Sequence, residues 1–397
     1  MENFEAILKD KTSRGTKDVP GANLAVVDKD GNYLYKKTTG YNGTKSDAKP
    51  LDFDQTFFMA SCTKLITSIA ALQNVEKGLI TLDEPLDRYL PELAAQPIIE
   101  PSSDTGLNFR PAVSHITLRQ LVTHSSGAAY DFVHPLLGKW RQDRGEAPGY
   151  PTRGIIEEDY ALPRTFESGE GWIYGPGLDW AGLLIARLNK ISLEEYIEEN
   201  IAKPLGIQSW TFHISEKQET LGKLMELSVR NADGVLESGP VPPFPDPING
   251  NGGGGLYSNA HDYTRVLADL LKENPILLKK ESVDELFAPQ LGEGSRSLNA
   301  LHAIAGPVFG CTFGTSVDGL NINHGLGGLL VAEDIDRDGY YKPKGSLTWS
   351  GMPNLLWSIN REKGIALFFA TQVFPWGDPK SWDLACKFET AVWKTFA

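Results

Sequence analysis

Hydrophobic and polar residues alternate in patterns that predict strands near both ends of the chain. Two apolar-rich segments, 22–27 and 33–39, are separated by Asp30-Gly31-Asn32, and the Asp-Gly pair indicates the turn of a β-hairpin. Further strands are predicted near the other end of the chain, at residues 345–349, 355–359 and 365–371.

Helical spacing of apolar residues is typical of the middle of the chain and of its two ends. In segment 59–77, Leu65, Ile69 and Leu72 recur at helical spacing, and Gly78 provides a stop signal. The other predicted helices cover residues 4–11, 118–124, 178–188, 193–201, 261–272 and 382–396.

Strands at both ends of a chain with a helical middle predict an α/β (α+β) fold, in which one antiparallel sheet is built from both termini and flanked by helices. We expect residues 1–80 and 289–397 to form a discontinuous sheet domain. Residues 81–288 are expected to form a mainly helical domain with long loops. Because loops of this length usually line a site, we expect the active site to lie between the two domains.

Composition narrows the class of function. With 397 residues, 41% of them hydrophobic, the chain can bury a large core. The net charge of −13 repels phosphate backbones, and no basic stripe is present, so no nucleic-acid partner is expected. No apolar run approaches the roughly 18 residues that span a bilayer. The acidic start of the chain is unlike a signal peptide, so a cytoplasmic protein without a membrane span is expected.

Cysteine and histidine spacing argues against a metal centre. The three cysteines are scattered along the chain, and the seven histidines include no HExxH sequence and no pair four residues apart. We therefore expect neither a disulfide framework nor a metal or other cofactor.

The sequence Ser61-Cys62-Thr63-Lys64 carries the clearest chemical signal. A serine hydroxyl is a poor nucleophile unless a base removes its proton, and positions i and i+3 of a helix share one face, so Lys64 can reach the Ser61 oxygen. The start of a helix also favours developing negative charge. The alternative is that Ser61 is a small polar residue at a helix start.

Two rivals to Ser61 are present. The sequence Ser46-Asp47-Ala48-Lys49 has the same spacing, but it lies in a polar stretch before Pro50, which predicts a solvated loop. Cys62 is a second candidate nucleophile. Its helical position points about 100° away from Ser61 and towards the core, where cysteine behaves as a small apolar residue.

Two further segments offer groups that suit catalysis. Tyr174 is flanked by glycines and a proline directly before a predicted helix, so a rigid turn can aim its hydroxyl into a cleft as a general acid or base. A buried structural tyrosine is the alternative. The strand ending in Trp349-Ser350-Gly351 offers close backbone approach to a ligand, and Met352 is the last backbone donor before Pro353.

In this order, the three segments resemble the serine β-lactamase and penicillin-binding-protein superfamily, in particular its class C-like esterase and acyltransferase branch. The likeness is strongest to fungal polyketide acyltransferases of the lovastatin side-chain transferase type. It extends over nearly the whole chain and includes segments 118–127, 134–137, 178–182, 204–207 and 375–379. The resemblance implies a β-lactamase/transpeptidase-like fold.

The resemblance also implies roles for individual residues. Ser61 would be the nucleophile, Lys64 its base and Tyr174 the proton shuttle, while the backbone N–H groups of Ser61 and Met352 would form the oxyanion hole. The residues expected to bind substrate are Trp172, His324, Trp349, Ser350, Gly351 and Trp376.

Departures from the family pattern bear on the substrate. Penicillin-recognising relatives have Tyr-x-Asn where this chain has Pro176 in the third position, and Trp349-Ser350-Gly351 stands in place of Lys-Thr-Gly. The lysine that would pair with a β-lactam carboxylate is missing, so β-lactam hydrolysis is not expected. Where the statin transferase has an arginine that holds the acceptor, this chain has Asp159, with Arg164 nearby.

We therefore expect ping-pong acyl transfer through an acyl-Ser61 intermediate. The acyl group would come from an ester or thioester, including one on an acyl carrier protein or acyl-CoA, and pass to a hydroxyl of a small polyketide-like or other secondary-metabolite acceptor. A carboxylesterase acting on small hydrophobic esters uses the same residues and stays an alternative. A non-catalytic acyl-binding protein is a third, but it would need to have lost a catalytic group.

Overall fold

The computed structural model of the protein describes residues 1–16, 18–102, 106–149 and 153–397. The main sheet of this part of the chain is antiparallel throughout, with the strand order β2-β1-β7-β6-β5-β4-β3. Its strands are β1 (Gly21–Asp28), β2 (Tyr33–Gly40), β3 (Ile322–His324), β4 (Leu329–Val331), β5 (Leu347–Gly351), β6 (Leu355–Asn360) and β7 (Ile365–Ala370). The sheet thus joins the two ends of the sequence.

The first hairpin forms at the turn that the sequence predicts. The carboxylate of Asp28 accepts hydrogen bonds from the backbone N–H groups of Asp30 and Asn32. Gly31 between them has a φ of +82°, a left-handed conformation that glycine adopts without strain. Local side-chain chemistry therefore sets the register of β1 against β2.

Long helices cover both faces of the sheet. The helices of eight or more residues are α1 (Glu2–Lys11), α2 (Thr63–Glu76), α3 (Pro135–Asp143), α4 (Gly177–Asn189), α5 (Ala260–Leu271), α6 (Arg296–Phe309) and α7 (Pro379–Phe396). Neighbouring strand residues point to opposite faces. Phe368 of β7 packs against Tyr263 of α5, while Phe369 packs against Phe388 of α7. The sheet is therefore sandwiched between α5 and α7.

Shorter elements complete the connections. The short helices are Pro91–Ala94, Leu118–Val122, Ile156–Asp159, Leu193–Ile197, Gln218–Gly222 and Lys280–Leu286. The short strands pair as Thr56–Phe58 with Tyr257–Asn259, Ile98–Pro101 with Leu107–Arg110, Ile335–Arg337 with Tyr340–Lys342, and Ser228–Arg230 with both Leu236–Ser238 and Val373–Phe374. No helix among the described residues is long and apolar enough to cross a membrane.

The central helix α2 differs at its start from the helix predicted over 59–77. Ala60 has a φ of +44°, and a 3₁₀ turn over Ala60–Cys62 precedes the α-helix, which begins at Thr63. The hydroxyl of Thr63 donates to the carbonyl of Ala60 and accepts the N–H of Leu256. These bonds hold the turn, so Ser61 lies on a tight turn and not within the α-helix.

The boundaries of other elements also differ from those predicted from the sequence. The strand predicted at 345–349 runs from Leu347 to Gly351. The last helix starts at Pro379, three residues before its predicted start, because the side chain of Asp378 caps it by accepting the N–H of Ser381. The helix predicted over 193–201 is α-helical only to Ile197 and continues as a wider π turn to Ala202. Helices α3 and α6 were not predicted from the sequence.

A buried ion pair joins α7 to strand β5 of the sheet. The amine of Lys342 lies 3.2 Å from Glu389 and 3.3 Å from the hydroxyl of Thr348 in β5, and both charged side chains are fully buried. Tyr340 and Trp393 also donate to the Glu389 carboxylate. The ion pair is therefore enclosed by hydrogen bonds and ties β5 to the C-terminal helix.

We expect Lys342→Met to lower the free energy of unfolding by about 3–5 kcal/mol, because it leaves the Glu389 carboxylate buried without its cation. Urea denaturation measures this change. The matched control is Lys344→Met at an exposed position two residues away, which should change stability by no more than about 0.5 kcal/mol. Equal unfolding midpoints for the two variants would contradict the role given to the ion pair.

Candidate active site

Ser61, Lys64 and Tyr174 meet at one point between α2 and the start of α4. The hydroxyl oxygens of Ser61 and Tyr174 are 2.5 Å apart, and the Lys64 amine lies 3.2 Å from the Ser61 oxygen. The amine also lies 4.8 Å from the centre of the Tyr174 ring. Lys64 is buried, whereas Ser61 and Tyr174 are partly exposed. The Ser61 hydroxyl is thus partly exposed, with an amine and a phenol within hydrogen-bond distance of it.

Tyr174 is held by a turn that only glycine permits. A Cβ atom at Gly175 would lie 1.9 Å from the carbonyl oxygen of Ala128, so the two backbones approach too closely for any side chain. The carbonyl of Tyr174 accepts the N–H of Tyr130, and Ile173 donates to the carbonyl of His124. The tyrosine hydroxyl is therefore aimed by backbone contacts on both sides of it.

Strand β5 lies against the turn that carries Ser61. A Cβ atom at Gly351 would lie 2.5 Å from the carbonyl oxygen of Met59 and 3.2 Å from the sulfur of Cys62. Ser350 is buried at the end of the same strand. Met352 follows the strand and packs against an apolar cluster that includes Phe58, Ala60, Ile214, Leu224 and Tyr257. The backbone of residues 351–352 therefore lies beside the serine turn.

An aromatic wall, consisting of His124, Trp172, His324 and Trp349, lies behind Tyr174. The ring of His124 lies 5.0 Å from Tyr174 and stacks on Trp349 at 5.9 Å. His324 lies 5.6 Å from His124 and 6.0 Å from Trp172. All four members of the wall are buried. They therefore support the tyrosine from behind, and the expected roles of Trp172, His324 and Trp349 in binding substrate stay predictions.

The two histidines of the wall are neutral at neutral pH. Burial lowers the pKa of His324 to about 4, and burial with the nearby charge of Lys64 also lowers the pKa of His124. His124 Nδ1 accepts the N–H of Gly175, and His324 Nδ1 donates to the carbonyl of Gly325. The wall therefore adds no positive charge next to Lys64.

Trp376, the last of the residues expected to bind substrate, lies outside the aromatic wall. It is partly buried, and its ring contacts Trp382 of α7 at 6.5 Å. Arg164, the alternative acceptor-binding residue, is buried and donates to Ser168 and to the carbonyl of Ser114. These contacts hold both side chains against the protein.

The structure also separates Ser61 from its rivals. Cys62 is fully buried, and burial raises the pKa of its thiol far above the usual range, which disfavours the thiolate. The second Ser-x-x-Lys sequence, Ser46 to Lys49, lies in a loop in which Ser46 and Lys49 are exposed, as predicted.

Sequence reasoning missed three groups that contact the site. The Lys64 amine donates to the carbonyl of Gly253 at 2.6 Å and to the hydroxyl of Tyr130 at 3.3 Å. Tyr130 in turn donates to the buried carboxylate of Asp179 at 2.9 Å. The one available signal was Asp179 itself, an acid in the first turn of an apolar helix. Tyr130 and Gly253 gave no comparable local signal.

Comparison with known proteins decides the family. The family model described as Beta-lactamase matches residues 4–385, which is nearly the whole chain. The chain belongs to the beta-lactamase family. The fold class that the sequence predicted is thus confirmed.

Within the beta-lactamase family, the chain is similar to fungal acyltransferases and to an esterase. It is 37% identical to acyltransferase calJ of Penicillium decumbens, covering 100% of this chain and 99% of the relative. It is 37% identical to monacolin J acid methylbutanoyltransferase of Aspergillus terreus, covering 96% and 93%. It is 35% identical to lovastatin esterase of Penicillium rubens, covering 96% of each chain.

A solved structure agrees with these relatives. Unliganded simvastatin synthase (LovD) from Aspergillus terreus superposes with a TM-score of 0.88 at 33% identity, covering 100% of this chain and 98% of that one. This beta-lactamase family member is therefore a serine acyltransferase or esterase, as the sequence predicted.

We expect Gly351→Ala to slow acylation by about 10-fold or more, because the added methyl group pushes β5 away from the turn that carries Ser61. The rate of p-nitrophenyl ester turnover measures the effect. Gly222→Ala is the matched control, since a Cβ atom there meets nothing within 4 Å. Unchanged turnover in Gly351→Ala would show that this close approach does not matter for the reaction.

Stability should fall as the pH drops from about 6.5 towards 4. In that window the unfolded chain protonates His324, whereas the folded chain keeps it neutral because burial lowers its pKa to about 4. His324→Gln should flatten this pH dependence, measured by urea unfolding at several pH values, and His124 should account for part of the slope that persists. The exposed His115→Gln variant is the control, and an unchanged slope in His324→Gln would contradict the assignment.

Proposed function

We propose that the protein is a serine acyltransferase in which Ser61 is the nucleophile, Lys64 its base and Tyr174 the proton shuttle. The observation that carries the proposal is that the Ser61 oxygen lies within hydrogen-bond distance of both other groups, 3.2 Å from the Lys64 amine and 2.5 Å from the Tyr174 hydroxyl. A serine needs such a partner to become a useful nucleophile.

Acylation follows from this arrangement. Lys64 takes the hydroxyl proton as the Ser61 oxygen forms a bond to the ester or thioester carbonyl carbon. The negative charge that develops on the carbonyl oxygen is held by backbone N–H groups, for which we propose those of Ser61 and Met352. As the intermediate collapses, the bond to the leaving group breaks and Tyr174 delivers a proton to the departing oxygen or sulfur. The proton on Lys64 replaces the one that Tyr174 gives up.

Deacylation reverses the roles. The hydroxyl of an acceptor enters and attacks the acyl carbon of acyl-Ser61, while Tyr174 takes its proton and passes its own proton to Lys64. The bond to the Ser61 oxygen breaks, and that oxygen recovers the proton from Lys64. The product is a new ester and the free enzyme, so acid and base are restored without any cofactor in these steps.

Similar proteins and the walls of the site support a hydrophobic acceptor. One relative is named for transfer of a methylbutanoyl group to monacolin J acid. Near the site, the exposed ring of Phe132 stacks on Tyr130 at 5.0 Å, and Phe244 packs against Phe58 at 5.3 Å. We propose a small, hydroxyl-bearing polyketide-like acceptor, with an acyl carrier protein or coenzyme A thioester as the donor.

Ester hydrolysis is the second candidate function. The observation that favours it is the 35% identity to lovastatin esterase over 96% of this chain. Both reactions share the acyl-Ser61 intermediate, and they differ in whether an alcohol or water attacks it. Discharge of the intermediate therefore separates the two functions.

Intact-protein mass spectrometry after mixing with p-nitrophenyl butyrate tests the proposal. A single butyryl adduct that a panel of hydrophobic alcohols discharges faster than water does would support the transferase. Discharge at the same rate with and without alcohols would favour the esterase. The absence of both an adduct and turnover with short-chain esters would contradict acyl transfer altogether.

We expect Ser61→Ala and Lys64→Met to reduce ester turnover by at least about 10³-fold and to abolish the adduct, because each removes one part of a cooperating unit. Tyr174→Phe should reduce turnover by about 10²-fold or more through the loss of proton transfer. Matched controls are Ser46→Ala and Lys49→Met in the exposed second motif, which should retain wild-type turnover. Near wild-type activity in Ser61→Ala or Lys64→Met would refute the assigned roles.

A further inference from the structure

The position of the Lys64 amine is determined by groups outside the Ser-Lys-Tyr set. Apart from Ser61, it contacts two oxygens: the carbonyl of Gly253 at 2.6 Å and the hydroxyl of Tyr130 at 3.3 Å. A lysine side chain has four rotatable bonds and loses considerable freedom when it is fixed. The reach of the amine to Ser61 therefore depends on where these two oxygens lie.

Both oxygens are fixed by one carboxylate. Asp179 Oδ2 accepts the hydroxyl of Tyr130 at 2.9 Å, and Asp179 Oδ1 accepts the N–H of Gly253, also at 2.9 Å. A Cβ atom at Gly253 would lie 2.2 Å from Asp179 Oδ2, so the contact needs glycine at that position. Asp179 is buried and joins the tyrosine to the glycine loop, which the Thr67 hydroxyl also holds by donating to the carbonyl of Gly252.

The same carboxylate provides the negative charge that faces the amine. Besides Asp179, the titratable groups described around Lys64 are Cys62, Tyr130, Tyr174, His124 and His324. Burial lowers the pKa of both histidines and raises the pKa of Tyr130, so these three are neutral at neutral pH. Burial raises the pKa of Asp179 above its usual value, although the nearby Lys64 amine and the hydrogen bonds from Gly253 and Tyr130 oppose the rise.

We propose that Asp179 is a positioning residue for acyl transfer, whose carboxylate fixes the two groups that hold the Lys64 amine against Ser61. The inference rests on the proposed role of Lys64 as the base. It adds a second function to the segment that starts with Tyr174, since Asp179 lies five residues further on, in the first turn of α4.

Asp179→Asn tests the proposal. An asparagine can accept one of the two hydrogen bonds through its oxygen, but its amide group faces the other donor, so one of the two supports is lost. We expect kcat/KM for p-nitrophenyl butyrate to fall by about 10- to 100-fold at the optimal pH, because a small displacement of the base slows proton transfer. The fall should appear in kcat more than in KM.

The pH profile separates positioning by this carboxylate from a merely structural role. Removal of a negative charge near an amine favours the uncharged form of that amine. The ascending limb of kcat/KM against pH should therefore move to lower pH in Asp179→Asn. A lower rate with the limb unmoved would indicate general damage to the fold, and a limb moved to higher pH would show the opposite electrostatic role. Either result overturns the proposal.

Asp131→Asn is the matched control. Asp131 is also a buried carboxylate next to Tyr130, but it pairs with Arg141 and accepts the N–H of Gly149. This variant should leave the ascending limb where it is, even if it lowers stability. A shift equal to that of Asp179→Asn would show that the effect is not specific to the contacts with Tyr130 and Gly253.

Tyr130→Phe keeps the proposal testable if Asp179→Asn does not fold. It removes the hydroxyl between Lys64 and Asp179, and it should lower kcat by about 10-fold while leaving KM nearly unchanged. In the double variant, the loss should be smaller than the product of the two single losses, because both act on the same amine. Multiplicative losses, or an unchanged kcat in Tyr130→Phe, would overturn the proposal.

The wild-type enzyme in the same assays separates this inference from the function on which it rests. If wild type forms no butyryl adduct, the proposed acyl transfer itself fails. If wild type forms the adduct and Asp179→Asn acylates with an unchanged pH profile, only the role of Asp179 fails.

Discussion

The burial of the Lys64 amine is the constraint on which the rest of the site depends. An amine removed from water must be surrounded by acceptors, and a charged one also needs a nearby negative charge. Here the acceptors are the carbonyl of Gly253 and the hydroxyls of Tyr130 and Ser61, and the negative charge is that of Asp179. Each of these contacts fixes a different stretch of backbone, so the contacts of one buried amine assemble the pocket.

Much of the fold could be predicted from the sequence because it follows from local patterns. The hairpin β1–β2 has its turn residues in place, and the long helices α2, α4 and α5 have clear apolar spacing. Strands β3 and β4 have three residues each, too few for a period to show. Their place in the sheet depends on the pairing of β4 with β5 and of β3 with β4, which periodicity does not report.

The contacts of the candidate site fall into the same two groups, those that local spacing predicts and those that depend on the folded chain. Ser61 and Lys64 lie three residues apart at the start of α2, so their contact was predictable from spacing. Tyr130 and Asp179 contact each other across 49 residues, and Gly253 contacts Lys64 across 189 residues, so only the folded chain brings them together. Sequence reasoning also predicts that Trp172 and His324 bind substrate; the structure buries both behind Tyr174, and their role stays a prediction.

The spacing of Tyr174 and Asp179 has a consequence for how such an enzyme changes in evolution. Because five residues separate the proton shuttle from the support of the base, an insertion or deletion between them would disturb both at once. New acceptor specificity must therefore arise elsewhere, at walls that tolerate variation. The exposed Phe132 and the irregular proline-rich segment 240–247 meet that condition, and they are where a library of variants would retain catalysis while exploring new alcohols.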